Sequence, residues 1–402
     1  MNRAASFGLL AGLIALLAVA VWIVVDGLGD GSDTRTDVRA GLSAAEALAG
    51  SDTAGFARAM APRPFEFPRD HGPHPDYRTE WWYLTGNLES DGGRPFGFQL
   101  TFFRSALSPT TPDRPSAWNT NQLWMAHFAL TDIEAGSHIV GERFARGAAG
   151  LAGGQAEPFR VWLHDWEIRG LDDSYAFPMV LEVEQDGVEL RLEFDEGKGP
   201  VPQGIDGWSQ KGPEPGNASY YLSWTRMPTR GHLTIGGDRH TLRGNAWMDR
   251  EWSTSALGEA NTGWDWFSLQ LDDGREVMFF ELRRDDGEPD PMNHGSLVGV
   301  DGEARRLGAD DVTLEVLDRW ESPVDGAVYP AGWRMQIPDE ELDLTITPRV
   351  ADQEMVVSFR YWEGAVTVEG SSASGPVSGL GYVELTGYAE DGGTRGAGSG
   401  SP

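Results

Sequence analysis

The residues with the clearest capacity for chemistry lie in the stretch RGNAWMDREWSTS, residues 243–255. If this stretch is a β-strand, Trp247, Asp249 and Glu251 share one face, because successive side chains of a strand alternate. Two carboxyl groups on an apolar face would be desolvated and would repel each other's charge, and both effects raise a carboxyl pKa. An acid that keeps its proton near neutral pH can protonate a substrate, and an indole can stabilise a cation beside it. We therefore predict a general acid at Asp249, with Glu251 as its neighbour.

A structural role is the competing interpretation of the same residues. Asp249 and Glu251 could instead form ion pairs with Arg78, Arg243 or Arg250 at the end of a strand. In the catalytic interpretation, the two carboxyls face the lumen of a first domain. Arg250, on the opposite face of the strand, then holds the junction with a second domain.

Two further polar residues lie among apolar ones in strand-like runs. Glu80, in EWWY, shares a face with Trp82, which repeats the pairing of a carboxylate with an indole. Glu80 is therefore a second candidate acid, able to modulate the pKa of Asp249. His127, in WMAHFALTD, would be either a ligand contact or a hydrogen-bonded core residue.

The aromatic content points to an apolar ligand or to ordinary core packing. The chain has 16 tryptophans and 17 phenylalanines, and a β-barrel lined with such rings suits a long apolar molecule. Asp265 lies between two tryptophans but alternates to the other face, so we expect it to face solvent or the rim. The side chains predicted from their positions to contact such a ligand are Trp82, His127, Trp247, Trp264 and Trp266.

The elements that must position these residues are short strands separated by Asp-Gly and Gly-Gly turns, a pattern typical of antiparallel β structure. Two hairpins, 78–104 and 263–283, open on aromatic residues, turn on an acid plus glycine, and end on arginine. The segments 242–252 and 377–388 also resemble each other. Two matched pairs in the same order indicate an internal duplication of a β-barrel or sandwich.

The domain organisation follows from these patterns and from composition. We predict a cytoplasmic tip and transmembrane anchor (1–25), a stalk (26–62), a first barrel (63–245, its closing strand running to about 252), a second barrel (246–390) and a disordered tail (391–402).

The N-terminal segment has the length of a membrane span. Arg3 precedes an uncharged run over 7–25, and Asp26 follows it. Because five apolar residues follow the only cleavage-like site, an uncleaved anchor is favoured over a secretory signal. The positive-inside rule then leaves the N-terminus in the cytoplasm and the bulk on the periplasmic side of the inner membrane.

Charge and composition narrow the partners. The chain has 62 acidic and 32 basic residues, a net charge of −30, and such a surface repels nucleic acid. With no cysteine, the chain has neither a disulfide nor a thiol nucleophile. His71, His74 and Asp76 are interrupted by glycine and proline, so we predict no metal site, and no sequence motif indicates a cofactor.

Several long motifs carry a family resemblance. The runs FPRDHGPHPDYRTEWWYLTGNL, KGPEPGNASYY, GNAWMDREWSTSALG, GWDWFSLQLDDGRE and RYWEGAV resemble the lipocalin-like family of carotenoid 1,2-hydratases and AttH, a component of an ABC transport system. They fall between about residues 64 and 388, in the family's order. The resemblance is closer to the AttH-like branch, and it implies two consecutive lipocalin-like antiparallel β-barrels.

The resemblance also implies roles for particular residues. In the hydratase branch a Gly-x-x-Tyr-x-Asp strand carries the catalytic acid, and it maps onto Gly244, Trp247 and Asp249, with tryptophan in place of tyrosine. The histidine that the hydratases use falls near Tyr220, which becomes a further ligand-binding candidate. From the anchor, the aromatic content and the AttH-like motifs we predict a membrane-anchored carrier of a long apolar molecule, such as an isoprenoid or lipid, beside an ABC permease. The alternatives are a cofactor-independent hydratase or isomerase with Asp249 as general acid, and a purely structural scaffold.

Overall fold

The structure is a computed structural model that describes residues 53–111, 113–171, 176–254 and 261–389. Within these ranges the regular structure is almost all β-strand, and the only helices are three short 3-10 turns at Arg69–His71, Ala309–Asp311 and Pro338–Glu340. The prediction of an all-β fold is confirmed.

The predicted membrane anchor, most of the stalk and the C-terminal tail lie outside the described residues. Among the helices that are described, none has the length and apolar character that a membrane span requires.

The first barrel is a thirteen-stranded antiparallel sheet. Its strands are β1 (Thr79–Ser90), β2 (Pro95–Ala106), β3 (Gln122–Asp132), β4 (Ser137–Arg146), β5 (Ala152–Ala156), β6 (Phe159–Leu163), β7 (Trp166–Gly170), β8 (Met179–Gln185), β9 (Val188–Phe194), β10 (Val201–Pro202), β11 (Trp208–Gln210), β12 (Ala218–Ile235) and β13 (Asp238–Ser253). The strand order is β4-β3-β2-β1-β13-β12-β9-β8-β7-β6-β5, with β10 and β11 paired to β12.

The second barrel is a ten-stranded antiparallel sheet. Its strands are β14 (Asn261–Leu271), β15 (Glu276–Arg284), β16 (His294–Val298), β17 (Ala304–Gly308), β18 (Thr313–Glu321), β19 (Val328–Ile337), β20 (Leu342–Pro348), β21 (Glu354–Val356), β22 (Arg360–Ser372) and β23 (Gly375–Thr386). The strand order is β17-β16-β15-β14-β23-β22-β20-β19-β18, with β21 paired to β22.

The two sheets share one connectivity, as an internal duplication requires. In each, the first four strands form a meander, and the first strand pairs with the last strand of the same sheet. Both opening hairpins turn on glycine with positive φ, Gly93 (+83°) and Gly274 (+87°), a conformation that glycine adopts without strain. The predicted hairpins β1–β2 and β14–β15 therefore exist, and they occupy equivalent places.

Each barrel has its own core, and further apolar clusters lie between the barrels. Strands that contribute to both kinds of cluster are buried on both faces. All eight residues from Ala246 to Ser253 in β13 are buried, so this strand sits between the interior of the first barrel and the junction with the second.

Candidate functional site

The closing strand of the first barrel, β13, turns its two faces to different environments. Arg250 points into the first barrel, where its guanidinium covers an indole of the core. Trp247 points the other way and packs against Trp266 of the second barrel. Asp249 and Glu251 share the face of Trp247 and lie at the junction.

This arrangement reverses one sequence expectation. Asp249 and Glu251 were expected in the lumen and Arg250 at the junction, and both placements are wrong. Alternation in a strand determines which residues share a face, but a strand buried on both sides does not reveal which face is the lumen. The two carboxyls are therefore inter-barrel groups.

Asp249 is held by neutral hydrogen-bond donors only. Its carboxylate accepts bonds from the Tyr221 hydroxyl, from Ser223 Oγ at 2.6 Å and from Trp247 Nε1 at 2.7 Å. Trp266 Nε1, from the second barrel, donates to the Tyr221 hydroxyl oxygen at 3.0 Å. In the described part of the chain no arginine or lysine forms an ion pair with Asp249, whose exposed fraction is 3%.

Burial therefore sets the protonation of Asp249. Desolvation raises its pKa from 3.8 to about 7, against the opposing effect of the three hydrogen bonds and with a smaller contribution from the charge of Glu251. A carboxyl with this pKa can both donate and accept a proton near neutral pH. Of the predicted acids, Asp249 has the electrostatics that general acid catalysis requires.

Glu251 is paired with a cation. Lys211 Nζ lies 3.1 Å from Glu251 Oε1, and Ser219 Oγ donates to the same oxygen. Lys211 also lies 4.0 Å from the ring centre of Phe280 in the second barrel. Glu251 therefore forms the kind of ion pair that the structural interpretation expected, with a lysine in place of an arginine.

The second barrel adds two carboxyls that the sequence analysis missed. Glu363 and Glu384 are paired across β22 and β23. Burial and the neighbouring Glu384 raise the pKa of Glu363 well above its usual range, and burial with the nearby charge of Asp249 raises that of Glu384 to about 8. We call Asp249, Glu363 and Glu384 the inter-barrel acid cluster.

A signal for Glu384 was present in the sequence. When the segments 242–252 and 377–388 are aligned on their aromatic residues, Trp247 matches Tyr382 and Asp249 matches Glu384. In the structure Tyr382 and Trp247 belong to the same inter-barrel cluster. The internal repeat thus carries an acid at equivalent places in both closing strands, and the two acids are close enough for the charge of Asp249 to raise the pKa of Glu384.

His127 lies on the same junction. It is fully buried, its Nε2 lies 3.0 Å from Glu142 Oε1, and its Nδ1 lies 2.8 Å from the hydroxyl of Tyr361. Burial lowers the pKa of His127, so the ring is neutral, and Nε2–H donates to the Glu142 carboxylate while Nδ1 accepts from Tyr361. Tyr361 also lies beside Glu363, so His127 borders the acid cluster through one hydroxyl.

Glu80 does not belong to this site. It lies inside the first barrel, where Arg104 and Arg250 form ion pairs with it and the backbone N–H of His74 donates to it at 2.9 Å. These arginines and hydrogen bonds outweigh burial and hold the pKa of Glu80 far below its usual range. A role for Glu80 as an acid, or as a modulator of the pKa of Asp249, is therefore wrong.

Trp82 and Tyr220 are also core residues of the first barrel. Trp82 stacks on Trp124 at 5.7 Å, and the Arg250 guanidinium lies 3.9 Å from the centre of its ring. The Tyr220 hydroxyl donates to the backbone oxygen of Ala61 at 3.0 Å. Trp82 and Trp247, both predicted to contact the ligand, lie on opposite sides of the sheet, so they do not line one site.

The two tryptophans of β14 and the acid between them separate as alternation requires. Trp264 packs against the inter-barrel cluster that contains Trp266, so both tryptophans lie at the junction. Asp265 points into the second barrel, contrary to the expectation of solvent exposure, with 2% of its surface exposed. It pairs with Arg283 at 3.0 Å, and burial still raises its pKa to about 6.

The histidines near the start of the first barrel serve the fold. His74 bonds through its ring to Asp70 at 3.1 Å and to Glu80 at 3.2 Å, and stacks on Trp252 at 3.8 Å. Within the residues that the structure describes, no group of three or more histidine and acidic side chains has an arrangement suited to a metal ion.

An open cleft borders the junction. It has a volume of about 150 Å³ and is lined by Gly204, Ile205, Trp208, Gln210, Pro291, Met292, His294 and Arg306. His294 packs against Phe280 at 4.4 Å, and Phe280 belongs to the inter-barrel cluster that also contains Tyr221 and Trp266. Through His294 the cleft therefore contacts the apolar cluster between the barrels.

Two consecutive lipocalin-like antiparallel barrels define the class of this protein. The AttH-like family model matches residues 58–388. The chain is 35% identical to a protein from Nitrosomonas europaea that is described as an AttH. The crystal structure of that protein aligns over 83% of this chain and 100% of its own, with a TM-score of 0.73. The chain belongs to the AttH-like family.

A more distant structure shares the fold. Kievitone hydratase from Nectria haematococca aligns over 86% of this chain and 99% of its own with a TM-score of 0.64, at 16% identity. At that identity the likeness concerns the fold alone. The comparison with curated protein sequences gives no match.

Proposed function

We propose that the protein is a cofactor-independent acid catalyst, a hydratase or isomerase, that acts on an apolar alkene at the inter-barrel acid cluster. The observation that carries this proposal is Asp249, a buried carboxyl with neutral partners and a pKa of about 7. The surrounding rings of Trp247, Trp266 and Tyr221 give the site its apolar character.

The proposed reaction begins with protonated Asp249. Its carboxyl proton passes to one carbon of a C=C bond, whose π electrons form the new C–H bond and leave the other carbon cationic. Indole faces of Trp247 and Trp266 stabilise that cation. Water then forms the C–O bond and returns a proton to the carboxylate, which completes hydration. Loss of a neighbouring C–H proton to the carboxylate gives an isomer instead.

Labelled water tests this proposal. The full-length protein is incubated in D₂O with acyclic isoprenoid alkenes, and deuterium incorporation is followed by mass spectrometry. We expect incorporation by the wild type, loss of at least about 100-fold in Asp249→Asn, and little change in the matched variant Asp265→Asn. That control removes an equally buried carboxyl that lies inside the second barrel. Equal turnover by wild type and Asp249→Asn would refute the proposal.

The second candidate function is a carrier of a long apolar ligand on the periplasmic side of the inner membrane, beside an ABC permease. The apolar run over 7–25 supports a membrane anchor, and the aromatic cluster at the junction supports an apolar ligand. Mass spectrometry of solvent extracts from protein purified without detergent tests it. A stoichiometric fatty acid or phospholipid, with no turnover in D₂O, would favour the carrier. A stoichiometric polyene would favour the catalyst.

A further inference from the structure

We propose that the open cleft beside the junction binds the carboxylate head of an amphiphile whose apolar chain continues towards the inter-barrel cluster. The cleft is formed by β11 and its preceding loop in the first barrel and by the region of β16 and β17 in the second. The inference rests on the proposed function only for the direction in which the ligand's apolar chain extends. What it adds is that the ligand carries a negative charge.

The walls of the cleft are apolar and partly open to solvent. Trp208, Pro291 and Met292 form part of the lining, and Ile205 has an exposed fraction of 49%. Covering such side chains with an alkyl or aryl group removes apolar surface from water, which is favourable. The volume of about 150 Å³ is the size of a cavity that holds benzene, so the cleft accommodates a head group and the first few carbons.

Arg306 supplies the positive charge. It is exposed on β17 and lines the cleft, and in the described part of the chain no carboxylate forms an ion pair with it. Its neighbour Arg305, on the other face of the strand, pairs with Asp311, Asp339 and Glu340. A guanidinium without a carboxylate partner matches the fork of a ligand carboxylate.

His294 adds neither charge nor a free acceptor to the cleft. Its Nδ1–H donates to the backbone oxygen of Met292 at 2.7 Å, and its Nε2 accepts from Ser209 Oγ at 3.1 Å. Burial and the nearby charges of Lys211 and Arg306 lower its pKa to about 3, so the ring is neutral near pH 7. The ring is therefore an apolar wall and does not repel an anion.

The absence of acidic residues from the cleft strengthens this inference. The chain has 62 acidic residues, yet none of the eight residues that line the cleft is Asp or Glu. Lys211, whose charge acts on His294, is already paired with Glu251. One available cation matches one negative charge, which favours a carboxylate over a doubly charged phosphate.

Binding of three six-carbon probes tests the inference. Hexanoate, hexanol and hexylammonium are titrated calorimetrically into the full-length protein in lipid nanodiscs, with empty nanodiscs as the blank. If the net charge of −30 alone determined affinity, hexylammonium would bind most tightly, hexanol less tightly and hexanoate least. We expect hexanoate to bind most tightly, because Arg306 acts locally. The reverse order would overturn the inference.

Adjacent arginines on one strand supply the matched variants. We expect Arg306→Gln to weaken hexanoate about 10-fold while hexanol is unchanged, and Arg305→Gln, which changes the net charge equally, to affect neither probe. Equal effects of the two variants would mean that only overall charge matters, and would overturn the inference.

The test separates this inference from the proposed function. Asp249→Asn is expected to retain hexanoate binding. Intact hexanoate binding in a protein without deuterium turnover contradicts only the proposed function. If the wild type shows deuterium turnover but Arg306→Gln binds hexanoate with unchanged affinity, only the carboxylate-binding cleft is contradicted.

Discussion

Glu80 and Asp249 are both buried carboxyls beside indoles in adjacent strands, and folding shifts their pKa values in opposite directions. Glu80, inside the first barrel, contacts two arginines, and its pKa lies far below the usual range. Asp249, on the other side of the sheet, has only neutral donors, and its pKa rises to about 7. Desolvation is the largest single influence on both, so the cations, not the degree of burial, decide which carboxyl keeps its proton.

Asp265 extends the comparison to an intermediate case. It has one arginine partner, Arg283, and a pKa of about 6. The three carboxyls therefore form a series with two, one and no arginine partners. The number of arginine partners also distinguishes structural from candidate functional carboxyls. An acid held ionised by cations stabilises the barrel, whereas an acid without them can exchange protons.

The largest effect is expected from removing the charge of Glu80. Glu80→Gln leaves Arg104 and Arg250 buried without a carboxylate, and we expect the free energy of unfolding to fall by about 3–5 kcal/mol. Urea unfolding followed by tryptophan fluorescence measures it. The control, Arg243→Gln, breaks a solvent-exposed pair with Asp91 and should change stability by less than about 0.5 kcal/mol. Equal losses would refute the assignment.

The pH dependence of stability should distinguish Asp249 from Glu80 by its sign. Because folding raises the pKa of Asp249 from 3.8 to about 7, the native state binds more protons across that window, and stability falls as pH rises through it. This group contributes a slope of about 1.4 kcal/mol per pH unit. Asp249→Asn should remove that slope in urea unfolding between pH 4 and 7.

The corresponding expectation for Glu80 has the opposite sign. Its pKa is lowered on folding, so its stabilisation is present above its usual pKa of 4.5 and is lost as pH falls below that value.

For Asp249, the test is the difference in unfolding free energy between the wild type and Asp249→Asn as a function of pH. A difference that stays constant from pH 4 to 7 would contradict the raised pKa of Asp249.

The pKa of Asp265 should move towards that of Asp249 when its arginine partner is removed. Arg283→Gln removes the cation beside Asp265, and we expect the pKa of Asp265 to rise from about 6 by about one unit. Carboxyl ¹³C NMR titration measures the shift. The same variant should leave the titration of Asp249 unchanged, and an unshifted Asp265 would show that the ion pair has no part in its pKa.

The smallest effect concerns the edge of the acid cluster. Tyr361→Phe removes the hydroxyl that donates to His127 across the junction at 2.8 Å, and it should cost about 1 kcal/mol of stability. A double-mutant cycle with His127→Phe measures the coupling by urea unfolding. Strict additivity of the two changes would show that the hydrogen bond contributes nothing.

Sequence patterns predicted the fold well because each strand carries its own signal. Aromatic and β-branched runs between glycine turns predicted antiparallel β structure, and the repeat of 242–252 in 377–388 predicted a duplicated domain. That each domain is a barrel and not a sandwich followed only from the family resemblance. Alternation also placed Trp247 with Asp249 and Arg250 opposite them. These signals are local or periodic, so a single chain is sufficient to read them.

Local sequence patterns could not predict which side chains hydrogen-bond or form ion pairs with each acid. Arg104 is 24 residues from Glu80, and Tyr221 is 28 residues from Asp249, so strand pairing alone brings them together. Glu384, which carries the second barrel's acid, lies still further along the chain, and only the packing of one barrel on the other places it near Asp249.

The sequence by itself determined that two similar antiparallel β-domains form and that Asp249 shares a strand face with an indole. Tertiary structure alone decided that this face is the junction between the barrels and not a lumen, because strands buried on both sides give no periodic sign of which side is inside. It also decided which carboxyls meet arginine. That choice sets their charge, since protonation depends on the few groups within contact distance after folding.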